Sequence, residues 1–225
     1  MIKLVDVWKK YSKSANNYGS LREDIASAFS KRHKPDELKS GEFWVLKDFN
    51  FEVKKGESVG LYGQNGVGKS TILKLISGVT YPNRGKIEVN GKVAPLLEIG
   101  AGFHPDLTGR ENIYMNGAIL GMKIREIKQK ESEIVEFSGI KEFINTPVKK
   151  YSSGMYLRLA FSVAIHSEAD IYLFDEILAV GDEEFQKKCF DKIKELKDRK
   201  RTILIVSHNE ELLKEHTNYI HYFKK

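Results

Sequence analysis

The stretch that most constrains this chain is Gly63-Gln64-Asn65-Gly66-Val67-Gly68-Lys69-Ser70-Thr71, which follows the apolar run 58–62 and matches the spacing G-x-x-x-x-G-K-[ST]. Glycines let the backbone curl until successive N–H groups converge on one centre. The N-terminus of the helix that follows adds about half a positive charge, and Lys69 supplies a full one. Such a nest accepts the β- and γ-phosphates of a nucleotide, with the Ser70 hydroxyl placed for Mg²⁺. The loop demands a strand before it and a helix after it. It establishes phosphate binding without establishing the reaction, because kinases, GTPases and motor ATPases share it.

The rest of the pattern extends this unit. Phe49, Phe51 and Val53 alternate as in a strand, a helix is expected over 69–77 with Gly78 beyond its end, and Ile87, Val89 and Asn90-Gly91 read as a hairpin arm. Thr108 and Glu111 have capping-box spacing, and helical patterns run to about residue 137 and again over 154–166. The chain then returns to strand 171–174, helix 183–196, strand 202–206, helix 210–216 and strand 219–223. Strands alternating with helices of this length predict an α/β fold with a mainly parallel sheet.

Two strand ends carry further chemistry. The apolar strand 171–174 runs into Asp175 and Glu176, at the carboxyl edge where open α/β sheets bind their ligands. Side chains alternate along a strand, so the adjacent acids need not share a job: Asp175 can hold Mg²⁺ through its water shell, while Glu176 is free to orient and deprotonate an attacking water. Strand 202–206 ends in Ser207-His208 on the same edge, which puts His208 within reach of the γ-phosphate.

Composition excludes several classes. With 41% hydrophobic and 30% charged residues the chain is globular and not disordered. No apolar run reaches membrane-spanning length, and the N-terminus alternates like a strand instead of forming a leader's apolar block. The expectation is a chain that is neither secreted nor self-inserting. A single cysteine, Cys189, excludes internal disulfides and suits a reducing cytoplasm. The excess of 37 Lys+Arg over 31 Asp+Glu leaves +6, compatible with anionic partners or simply with a solvated basic surface.

Tyr151-Ser152-Ser153-Gly154-Met155-Tyr156-Leu157-Arg158-Leu159-Ala160, lying between the phosphate loop and Asp175-Glu176, makes the order of motifs resemble that of the ATP-binding cassette (ABC) ATPases. The resemblance covers nearly the whole chain. It implies one ABC nucleotide-binding domain over 1–225: a P-loop NTPase with a RecA-like core, an antiparallel β portion and a helical subdomain over about 100–168. In that family two cassettes close head to tail, and the signature of one caps the nucleotide held by the other. That role passes to Ser152, Ser153 and Gly154, with Asp182 ending the loop after the Mg²⁺ strand. The usual signature is Leu-Ser-Gly-Gly-Gln, so Ser153 replaces a glycine and Met155 a glutamine. The loop that usually carries a glutamine ligand for Mg²⁺ reads 96–103 here, where Glu98 is the nearest polar candidate, one position offset.

These departures point to a subfamily. Residues 98–105, 107–112, 151–155 and 175–182 look like the ATPase subunits that export O-antigen, teichoic acid and related polysaccharides. The resemblance implies ATP and Mg²⁺ as cofactors and a homodimer. It also implies a separate polytopic membrane subunit, a lipid-linked polysaccharide as the transported substrate, and a peripheral location on the cytoplasmic face of the inner membrane. The competing readings are a cassette of a small-solute importer or drug exporter, and a soluble cassette acting on nucleic acid. The insertion and the Glu98 loop oppose the first. A lone cassette with no coiled-coil insertion opposes the second, so no nucleic-acid partner is expected.

An insertion spans residues 12–41. Ser20 and Glu23 have capping-box spacing, Leu21, Ile25, Ala28 and Phe29 share one helical face, and Lys31-Arg32-His33-Lys34 precede Pro35. Three large apolar side chains bury too little to offset the ordering of roughly eleven residues, so this helix needs a surface to dock on. That surface is either its own domain or, as in polysaccharide exporters, the membrane subunit, under which it would act as a gate. The resemblance implies an aromatic that stacks on adenine, for which the candidates are Tyr11, after the first strand, and Trp44, after the insertion; either could equally be a core residue. Deleting residues 20–34 should spare ATP binding and impair export in a complementation assay; normal export would reduce the helix to packing.

Overall fold

Alternation along the central strands decides how the layers assemble. In the strand Ile171–Asp175, Ile171 and Leu173 join one hydrophobic cluster while Tyr172 and Phe174 join another, and all four are buried. The strand Thr202–Ser207 divides the same way, Leu204 and Val206 against Ile203 and Ile205. Strands buried on both faces must lie inside a sheet covered from both sides.

A computed structural model describes residues 1–13, 38–97, 100–175 and 181–223. Its strands are β1 (Ile2–Ser12), β2 (Glu42–Val53), β3 (Ser58–Tyr62), β4 (Arg84–Val89), β5 (Val93–Leu96), β6 (Ile171–Asp175), β7 (Thr202–Ser207) and β8 (Tyr219–Tyr222). Its helices are α1 (Lys69–Ile76), α2 (Gly109–Ile119), α3 (Ile124–Ser138), α4 (Ser153–Ile165), α5 (Glu183–Asp198) and α6 (Glu210–His216). A five-stranded sheet has the order β5-β6-β7-β3-β8 with every neighbouring pair parallel, and a three-stranded antiparallel sheet has the order β2-β1-β4. The gate-like helix expected over 20–34, Glu98, and the stretch from Glu176 through Leu178-Ala179-Val180 lie outside the described residues.

Three hydrophobic clusters result. One joins the two sheets through α1: Ile2, Val7, Phe51 and Val53 meet Val59, Leu61, Ile72 and Leu73. A second covers the other face of the parallel sheet, where Phe161 of α4 and Phe185, Cys189 and Ile193 of α5 pack on Tyr172, Phe174, Ile203 and Ile205. Burial there pushes the Cys189 thiol up to about 12, so it behaves as a small apolar side chain. The third lies among α2, α3 and α4, around Ile113, Ile127, Ile134 and Leu159. The Thr108–Glu111 capping box forms as expected. The Thr108 hydroxyl accepts from the Glu111 N–H at 3.2 Å, and the Glu111 carboxylate accepts from the Thr108 N–H at 2.8 Å.

The hairpin expectation at Asn90-Gly91 does not hold. β4 pairs with β1, the Asn90 N–H donates to the Met1 carbonyl at 2.9 Å, and β5 pairs parallel to β6 in the other sheet. Asn90-Gly91 is therefore a crossing between sheets. Gly91 has φ +134, and a Cβ there would lie 2.8 Å from the Cβ of Asp170, whose carboxylate accepts the Lys92 N–H at 3.0 Å. The local pattern of a reversal is present, but both flanking strands find partners far away in sequence. Among the described residues no helix is long and apolar enough to cross a membrane.

Phe161 is fully buried, with ring centroids 6.0 Å from Phe185 and 6.4 Å from Phe137. Phe161→Ala should cost about 3–5 kcal/mol, read as a fall in urea midpoint at unchanged slope. A loss below about 1 kcal/mol would show that the ring is not part of the core.

Candidate functional site

Parallel strands β6, β7 and β3 lie side by side, so their carboxyl ends form one edge. Register sets Asp175 against Val206 and Ser207 against Tyr62. The phosphate loop leaves β3, His208 leaves β7, and Asp175 ends β6; three stretches far apart in sequence thus meet along a single edge, as open α/β sheets require of a binding site. His208 is exposed there.

The loop itself needs its glycines. Gly66 and Gly68 have φ +83 and +104, in the left-handed region that glycine adopts without cost. A Cβ on Gly68 would also press within 3.0 Å of Val45 and Leu46 in β2, so the antiparallel sheet closes directly against the loop. Gly68 caps α1 with no side chain, leaving the helix N-terminus open toward the cavity. Lys69 is only 5% exposed, and its ammonium donates to the Gly63 carbonyl at 2.6 Å and the Gln64 carbonyl at 3.0 Å. A buried cation is tolerable because loop carbonyls receive it.

Above the loop lies a cavity of about 630 Å³. Asn65, Gly66, Gly68, Lys69, Ser70 and Thr71 form its floor, and Asp175 and Leu97 form one wall. Gly63, Gln64 and Val67 complete the loop, although they do not line this cavity. The Ser70 hydroxyl and the Asp175 carboxylate are hard oxygen donors on one cavity. This donor set fits a Mg²⁺ whose other ligands come from phosphate and water. Among the described residues, no cluster of three or more His, Cys, Asp or Glu side chains could hold a metal by itself.

The remaining wall separates the two aromatic candidates. Tyr11 and Phe43 are register partners across β1 and β2, and both line the cavity with Val45. Trp44 does not. It pairs with Lys10 in register and sets its ring edge-on to Trp8, 5.3 Å away. Alternation along β2 turns Phe43 and Val45 toward the cavity and Trp44 to the opposite face. Phe43 was not among the sequence candidates, because its place beside Tyr11 depends on how β2 is registered against β1.

The signature serines lie elsewhere. Ser152 caps α4, accepting the Met155 N–H at 3.2 Å, and Ser152 and Ser153 are exposed with Gly154 next to them. None of the three lines the cavity of their own chain. Asp182 caps α5 by accepting the Phe185 N–H at 2.9 Å, and its second carboxylate oxygen accepts from the Arg158 guanidinium at 2.9 Å. Arg158 also sits over the Phe185 ring, 5.8 Å from its centroid. The signature helix is thereby tied to the start of α5. Glu176 and Glu98 flank this geometry in sequence, outside the described residues.

Residues 46–179 match the family model described as ABC transporter. The O-antigen export system ATP-binding protein RfbB of Klebsiella pneumoniae is 51% identical over 172 residues, which are 76% of this chain and 70% of that protein. The teichoic acids export ATP-binding protein TagH of Listeria monocytogenes is 43% identical over 202 residues, which are 90% of this chain and 59% of that protein. A solved dimeric ATP-binding cassette in a post-hydrolysis state, bound to ADP and Pi, superposes with a TM-score of 0.76 at 21% identity. That match covers 100% of this chain and 94% of the other, and at such identity it establishes the fold.

Asp182→Ala removes both the α5 cap and the ion pair, whereas Asp182→Asn retains a good cap. The alanine variant should lose about 1 kcal/mol in urea unfolding and the asparagine variant far less, since the exposed ion pair contributes little. Equal losses would shift the weight from the cap to Arg158.

Proposed function

The chain belongs to the ABC transporter family, and on that premise we propose that it is the ATP-hydrolysing subunit of an exporter of lipid-linked polysaccharide, of O-antigen or teichoic acid type. One observation carries the catalytic half of this reading: Lys69, Ser70 and Asp175 line a single cavity at the carboxyl edge of the parallel sheet, where His208 directly follows the neighbouring strand. The substrate half is supported by the names of the relatives.

In this reading residues 1–225 form one nucleotide-binding domain with an insertion over 12–41 and a helical subdomain over about 100–168. Tyr11 stacks on the adenine, with Phe43 beside it. The amides of residues 63–71 and the Lys69 ammonium, released from the Gly63 and Gln64 carbonyls, take the phosphates. Ser70, Asp175 and Glu98 hold Mg²⁺, which neutralises charge on the β- and γ-phosphates. Glu176 accepts the proton of the attacking water, and His208 holds the γ-phosphate from the neighbouring strand.

That Ser152, Ser153 and Gly154 do not line their own chain's cavity supports a role in capping the nucleotide of a second copy, with Asp182 beside them. The working unit is then a homodimer under a polytopic membrane subunit, on the cytoplasmic face of the inner membrane. Nucleic acid has no part in it.

Glu176→Gln should bind ATP and lose turnover; undiminished hydrolysis would remove Glu176 from the role of base. Captured with ATP from detergent-solubilised native membranes, this variant should bring down a polytopic subunit and a lipid-linked glycan. A solute permease, ribosomes or nucleic acid in their place would keep the ATPase chemistry and overturn the substrate.

A further inference from the structure

We propose that Tyr156 is a positioning residue that ties the signature helix to the glycine-rich loop 100–103, so that the signature serines and one wall of the nucleotide cavity shift together. This rests on the ATPase reading above.

Tyr156 stands four residues after the cap Ser152, in the first turn of α4. Its hydroxyl donates to the Gly100 carbonyl at 2.8 Å, across 56 residues of chain. The same carbonyl accepts the Phe103 N–H at 2.9 Å, which closes the turn, so both of its lone pairs are used. The Tyr156 ring meets Phe103 edge-on with centroids 5.1 Å apart. Gly100 has φ +86, and any Cβ there would run into the tyrosine ring. Burial pushes the phenol above its ordinary range, which keeps it a donor at neutral pH.

The loop is held from the other side as well. The nearly buried Asn116 of α2 donates from its amide to the Ala101 carbonyl at 3.0 Å, and a Cβ on Gly102 would lie 2.7 Å from the Ile119 side chain. Three residues before Gly100, Leu97 lines both the nucleotide cavity and an apolar hollow of about 170 Å³ that Ala101 and Ile119 share. Leu97 shares that hollow with Gly100 and Ala101, so a displacement of the loop reaches the nucleotide cavity through packing on Leu97, and the Tyr156 hydrogen bond couples the loop to α4. A phenylalanine would fill the same volume without the bond, so the hydroxyl is the part that packing alone does not explain.

The full-length Tyr156→Phe variant tests this by hydrogen exchange and steady-state kinetics. Without nucleotide, the Phe103 amide should exchange about fivefold faster, the factor a single net hydrogen bond supplies, while amides within α4 are unchanged. The KM for ATP should hold and kcat should fall about fivefold, within the range of measured coupling effects. Faster exchange with unchanged kcat would make the bond merely structural and overturn the proposal, as would unchanged Phe103 exchange. Exchange at residues 63–71 separates the two readings: no protection by ATP in the unaltered chain overturns the nucleotide reading itself. Protection there, with kcat and Phe103 exchange unmoved in the variant, overturns only the role of Tyr156.

Discussion

The structure is organised around one buried cation. Lys69 must stand at the mouth of a helix, inside a loop tight enough to exclude most water. Such a charge is expensive unless polar groups receive it. Here the receivers are the Gly63 and Gln64 carbonyls, which the loop curls inward and which a phosphate can replace. The tightness comes from outside the loop: β2 closes on Gly68 through Val45 and Leu46, and β3 is held between β7 and β8. The antiparallel sheet thus does more than cover the core. It sets the shape of the anion site and supplies, through Tyr11 and Phe43, the aromatic wall beside it.

Parallel strand order then determines which side chains join the cation. Because β7 lies between β3 and β6, the three strand ends share one edge of the sheet, although β3 ends more than a hundred positions before either of the others. Both faces of the sheet are packed, so a slip by one residue would force Tyr172 and Phe174 into the space that Ile171 and Leu173 fill, and packing on the two faces holds the register. The same burial that stabilises the sheet therefore fixes Asp175 at the cavity. Helices α2 to α4 have their own small core and meet the parallel sheet through Phe161 and Ala164. Between the two bodies runs the loop 100–103, gripped by α4 and α2.

Much of this was legible in the residues. The phosphate loop, the strand ending in Asp175, the Thr108 cap and the helices after it follow from local patterns of charge, glycine and period, and they occur where those patterns place them. Failures came where two distant strands compete for a partner. Asn90-Gly91 carries the local signature of a reversal, yet β1 and β6 claim the strands on either side of it. Trp44 is a candidate because the pattern resumes there after the insertion, but the face it occupies depends on how β2 is registered against β1. The Arg158–Asp182 bond and the Tyr156–Gly100 bond span 24 and 56 residues, and no local pattern announces either.

The sequence by itself determined the chemistry available to this protein: a phosphate nest, a carboxylate at a strand end, a capped signature helix and an α/β periodicity that leaves few topologies. These are short-range properties, set by backbone freedom at glycine, by the alternation of side chains along a strand and by the hydrogen-bonding needs of helix ends. Only the tertiary structure decided which of the sheets each strand enters, which aromatic faces the cavity, and what links the signature helix to the loop beside the nucleotide. Those outcomes depend on pairing between segments far apart in the chain, where the free energy lies in burial and register shared by many residues at once.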